Sequence, residues 1–127
     1  MLYVQSDNRI ELTQGNSATI NITPYDAETL EPVILGDGDE VLFTVKTKLG
    51  TPKLQKVLTN LDYEGETDTS LNCDILPEDT IDWDLGEYLY DCLLLTSDSE
   101  AITFISSTLC ISKAIGKYTD VEVRANE

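Results

Sequence analysis

The sequence predicts an all-β fold, an antiparallel β-sandwich of seven to eight strands. Three observations carry this. Apolar residues recur at alternate positions along most of the chain, which is the half-buried strand pattern. Clusters of Gly, Pro, Asn, Asp and Ser break the chain at short intervals, as turns between strands do. No stretch longer than one turn shows the three-to-four spacing of an amphipathic helix. The chain has 127 residues, the size of one core, and no linker or repeat divides it. The expected organisation is a sandwich over residues 1–112 and a tail over 113–127, with a short strand at Val121 to Arg124.

Taken in order, Ile10 and Leu12 alternate with Arg9, Glu11 and Thr13, and Gly15-Asn16-Ser17 then turns the chain. Ala18, Ile20 and Ile22 alternate with Thr19, Asn21 and Thr23, and Pro24 ends that strand because it has no amide to donate. Residues 25–40 read as a long connection holding one short strand at Val33 to Leu35. Val41, Phe43 and Val45 form one face of a strand running to Thr47. Lys53 to Thr59 alternates weakly and carries Lys53 and Lys56, the signature of a protected edge. Leu71, Cys73 and Ile75 define the next strand, and Leu76-Pro77-Glu78-Asp79-Thr80 suits one helical turn, with proline and acids at its start. Gly86 to Leu95 is apolar on both faces, as a central strand is. Ala101 to Ser112 returns as its hairpin partner, with a register change expected near Ser106-Ser107.

Composition excludes whole classes of chemistry. The chain has no histidine, so Ser-His-Asp and Cys-His catalysis and His-ligated zinc are absent from it. Its 24 acidic and 8 basic residues leave a net charge of −16. Nucleic acid and anionic membrane are therefore disfavoured partners, since both are gripped by clustered Lys and Arg. No window approaches the roughly 20 apolar residues of a membrane span, and Met1 to Asp7 has no basic leader before an apolar run. Synthesis in the cytoplasm is the expectation. Cys73, Cys92 and Cys110 are odd in number and lie 19 and 18 residues apart. That spacing suits neither a disulfide framework nor a zinc site, and it predicts three buried thiols.

Two acidic groups stand out, Asp37-Asp39-Glu40 and Glu78-Asp79-Asp82-Asp84. Neither has the order of a calcium loop, and acidic turns are ordinary in an acidic chain, so no metal and no cofactor is expected. The same acids supply the only route to a hydrolase, a carboxylate pair across a cleft, which no other motif supports. Trp83 with Tyr88 and Tyr90 could offer a sugar-stacking surface, but aromatic residues at a strand entry are more often core.

The most specific motif is Asp84-Leu85-Gly86-Glu87-Tyr88 at the entry to the central strand. In immunoglobulin-like sandwiches a tyrosine at this point returns its hydroxyl to backbone a few residues upstream, the tyrosine corner. Gly86 permits the turn and Asp84 can bond within its own loop. Tyr90 stands where an antibody domain has its second cysteine. Together with Glu40 to Lys46, Leu76 to Thr80 and Leu85 to Asp91, this passage resembles the immunoglobulin-like N-terminal domain of the baseplate upper protein of tailed phages infecting Gram-positive hosts. The resemblance spans residues 8–112 and implies an immunoglobulin-like sandwich. It also implies a non-enzymatic role in a virion, with contacts to other virion or tail proteins. Members of that family continue into a fibre-bearing region where this chain ends at Glu127, so a small tail, head or accessory component is expected as much as a baseplate arm.

Charge is unevenly spread. Lys46, Lys48, Lys53 and Lys56 fall in one hairpin, whereas residues 57–112 hold thirteen acids and no Lys or Arg. A basic face opposite an acidic one suits head-to-tail packing, so the four lysines are the expected interaction patch and a homo-oligomer the expected state. The bland reading is a solvated acidic surface. The alternative function is a ligand- or carbohydrate-binding adhesion module.

Overall fold

A computed structural model describes residues 8–26, 29, 31–63 and 69–113, with residues 2–4 as backbone. The protein is mostly β, and its eight strands among the described residues form two sheets. They are β1 (Leu2–Val4), β2 (Ile10–Thr13), β3 (Ala18–Ile22), β4 (Glu40–Lys46), β5 (Pro52–Leu58), β6 (Leu71–Ile75), β7 (Gly86–Leu95) and β8 (Ala101–Ser112). The one helical turn among the described residues, α1 (Pro77–Thr80), lies between β6 and β7, where the proline and acids place it. The larger sheet runs β1-β2-β8-β7-β4-β5 and the smaller is β3-β6.

The alternation of the sequence becomes the division between core and solvent. Val41, Phe43 and Val45 of β4 and Tyr88, Tyr90, Cys92 and Leu94 of β7 are buried. They face Ile20, Ile22, Leu71, Cys73 and Ile75 of the smaller sheet, and all join one apolar cluster. The outer face of the smaller sheet is polar, with Thr19 bonded to Asp74 at 2.9 Å and Asn21 opposite Asn72. Sandwich-like layering follows because each sheet can bury only one face and the other sheet covers it.

Three expectations need correction. The sheets are not wholly antiparallel: β2 pairs with β8 in parallel, Ile10 opposite Leu109 through Thr13 opposite Ser112. Parallel pairing leaves no mark in an alternation pattern, which reports only which face is buried. The segment Val33 to Leu35 forms no strand; Tyr25 and Pro32 make an isolated bridge, and the Val33 amide donates to the Pro24 carbonyl at 2.8 Å. The register change in β8 falls two residues earlier than expected, leaving Phe104 extra between Ile105, opposite Cys92, and Thr103, opposite Leu93. Strand β1 was not anticipated, and the proposed strand at 121–124 lies outside the described residues.

Both ends of the smaller sheet's exit are tied down. The Gln14 side-chain Nε2 donates to the Trp83 carbonyl at 2.6 Å and the Gly15 backbone amide to the Thr80 hydroxyl at 2.9 Å. Gly15 has φ +74°, a conformation that favours glycine, and a Cβ there would lie 2.6 Å from the Ile81 Cδ1 and force that side chain to shift.

Candidate functional site

The outer face of the larger sheet, unlike that of the smaller one, is not a polar surface. Register places Val57, Leu42, Leu93 and Thr103 side by side across β5, β4, β7 and β8. The next row is polar: Gln55, Thr44, Asp91 and Ser106. Lys46 stands beyond it, opposite Leu89. The sheet curls around these rows and encloses an open concavity of about 650 Å³, floored by Leu42 and Leu93 and edged by Lys46 and Lys53. A smaller hollow of about 180 Å³ shares Thr44, Lys46 and Asp91 and reaches the turn at Lys48 to Gly50. Within a chain of net charge −16, this face combines an apolar floor with positive edges.

The four lysines expected to act as one patch are divided by the fold. Lys46 is exposed on the concave face. Lys53 is the extra residue where the register between β4 and β5 shifts, since Val45 opposes Leu54 and Lys46 opposes Pro52. Its ammonium lies 5.8 Å from the centre of the Trp83 ring. Lys48, in the turn, reaches the Glu87 carboxylate at 2.8 Å. Lys56 points the other way, opposite the fully buried Phe43, and its ammonium meets Asp79 at 2.9 Å. Lysines 46 and 53 thus share the concavity, Lys48 borders it, and Lys56 belongs to the core side.

Two carboxylates are held by these and neighbouring cations. Glu87 lies between Lys48 and Arg9, at 2.8 and 2.9 Å, and both bonds hold its carboxyl below the usual range. Burial pushes Asp79 upward, but the Leu76 amide at 2.8 Å and the Lys56 ammonium outweigh it and leave the group lowered. Asp39 is lowered by the Gly36 and Ser97 amides that it accepts.

At the entry to β7 the Tyr88 hydroxyl donates to the Asp84 carbonyl at 2.7 Å. Gly86 has φ +128°, a conformation side chains resist, and that turn lets Tyr88 double back over it. Asp84, Gly86 and Tyr88 therefore do come together, through the backbone of Asp84 rather than its carboxylate. The Tyr88 ring packs on Trp83 with centroids 4.9 Å apart, and Tyr90 donates to the Asn8 carbonyl. Trp83 is 7% exposed, so its ring presents no platform for a sugar.

The remaining candidates scatter. Among the described residues no three Asp, Glu or Cys side chains converge as a metal site. Of the two acidic groups, Asp39 bonds the Ser97 and Gly36 amides, Asp37 accepts from Asn60 at 3.0 Å, and Asp79 is engaged by Lys56. Glu78, Asp82 and Asp84 are exposed on the β6–β7 connection. Cys73 and Cys92 are buried, and desolvation pushes each thiol up to about 12; Cys110 is half-buried. The concavity itself was missed from sequence. Its signal was present in the two-sided apolarity of β7, read as central burial although Leu89 and Leu93 face outward.

No family model matches the sequence, and no curated protein is significantly similar to it.

Proposed function

We propose that the protein is an immunoglobulin-like sandwich acting, without catalysis, as a structural or assembly component of a phage or prophage particle of the baseplate or tail type. It works through contacts with other virion proteins and with further copies of itself. The observation that carries the fold reading is the strand order. The reading assigns β3 and β6 as strands B and E, and β4, β5, β7 and β8 as C, C′, F and G, and the observed strand order supports that assignment. The Tyr88 to Asp84 bond then falls at the E–F corner, where that fold has its tyrosine corner.

The assembly role is supported by the concave outer face, whose Leu42 and Leu93 floor and lysine edge offer a surface for another protein. A sugar-binding role has less support, because Trp83 is committed to the core. The test is fractionation of particles released from cells that carry the gene, followed by mass spectrometry of density-gradient fractions. The protein is expected to band with intact particles at a fixed stoichiometry. Its recovery only in the soluble fraction would overturn the virion role.

A further inference from the structure

Resting on the assembly reading, we infer that the concavity on the outer face of the larger sheet receives the β6–β7 connection of a second copy of this chain, head to tail. A hollow surface packs poorly against its own image, so a convex occupant is required. The β6–β7 connection supplies one. Leu76, Ile81 and Leu85 are 45%, 43% and 52% exposed on it, and Glu78, Asp82 and Asp84 stand exposed among them.

The two surfaces match in kind. Leu42 and Leu93 in the floor meet the apolar residues of the knob, while Lys46 and Lys53 at the edge meet its acids. Asp91 in the floor offsets one of these positive charges, leaving the concavity a basic site on a chain of net charge −16. Two such chains repel at a distance, and the contact that brings basic edge to acidic knob is the one that relieves the repulsion. The connection is also firmly held, by Gln14 on the Trp83 carbonyl, Lys56 on Asp79 and Gly15 on Thr80. It enters the contact ordered, so little entropy is lost there.

Groove and knob occupy different parts of the surface and adjoin only where Lys53 lies near Trp83. The contact is therefore heterologous, and its repetition closes a ring or extends a filament.

Two charge-reversed variants test this by sedimentation and light scattering. The groove variant is Lys46→Glu with Lys53→Glu, and the knob variant is Glu78→Lys with Asp82→Lys; all four positions are solvent-exposed. Circular dichroism confirms that each folds, and Leu93→Thr, which retains strand propensity, serves as a second groove variant. Wild type is expected to form a defined oligomer that weakens with salt, and each reversal to weaken association about tenfold or more. Mixing is decisive. The groove variant's native knob fits the knob variant's native groove, and the two reversed surfaces are again opposite in charge, so an equimolar mixture is expected to recover the assembly that each variant alone has lost. If wild type assembles and the variants assemble equally well, or the mixture stays monomeric, the pairing is overturned while the assembly reading stands. If wild type is monomeric throughout, the pairing is also overturned, and particle fractionation alone then decides the assembly role.

Discussion

Lys56 and Asp79, 2.9 Å apart, join the edge strand of one sheet to the helical turn that follows the last strand of the other. The sandwich is open along its β5–β6 side, where no backbone ladder links the layers, and this ion pair spans it. Asp79 also accepts the Leu76 amide, so one carboxylate both starts α1 and holds the sheets together.

Replacing Asp79 with Ala removes both bonds and leaves the Lys56 ammonium half-buried without its partner. The expected loss is about 1–3 kcal/mol, seen as a lower midpoint in urea at an unchanged slope. Lys56→Met keeps the stem packed beside Phe43 and leaves the Asp79–Leu76 bond intact, and it should cost less. Equal losses in the two variants would show that the ion pair, and not the amide bond, is what Asp79 contributes.

Asp79, Glu87 and Asp39 are all held below the usual carboxylate range. A carboxyl lowered in the folded state adds stability above its unfolded value, near 4, and that stability disappears as pH falls through the folded value. Unfolding free energy should therefore drop below about pH 4. In Asp39→Asn/Asp79→Asn/Glu87→Gln the drop between neutral and acid pH should be smaller, measured as denaturation midpoint against pH. An identical pH profile would refute the coupling.

Tyr88→Phe keeps the ring on Trp83 and removes only the hydroxyl bonded to the Asp84 carbonyl. The cost should be about 1 kcal/mol. Gly86→Ala strains the turn at φ +128° and should cost at least as much. Equilibrium unfolding of both variants checks the corner; a neutral Tyr88→Phe would remove it as a stabilising feature.

Thiol titration with an aromatic disulfide at pH 8 should separate the cysteines. Cys110 is half-buried and should react in the native protein. Cys73 and Cys92, buried and pushed up to about 12, should react only when denaturant opens the core. Three fast thiols would contradict the burial of Cys73 and Cys92.

Much of this fold was legible in the chain because alternation reports burial directly. Val41, Phe43 and Val45 inward with Leu42 and Thr44 outward is written in β4, and the two breaks at Pro24 and Gly50 delimit strands equally plainly. The lysine-bearing edge at β5 was likewise readable. Pairing direction was not, since β2 would show the same alternation beside β8 in either sense. The candidate site was readable only in part. The Asp84 to Tyr88 corner is local and carries its own signature, whereas the fate of four neighbouring lysines depends on pleat. Phe43 opposes Lys56 and Lys46 opposes Pro52, so close positions in sequence point to opposite sides.

The parallel pair also sets an order of events. The Ser112 hydroxyl bonds the Leu12 carbonyl across a sequence separation of 100, so strand β2, flanked on one side by β1, gains its second neighbour only once β8 has been made. Closing that span is slow, because chain entropy is lost long before the contact repays it. Until then the β8-facing side of β2 stays an open edge, while the local β4–β5 hairpin can already form. Completion of the larger sheet thus waits on β8, and any truncation within β8 should leave that side of β2 unpaired and the protein prone to aggregate.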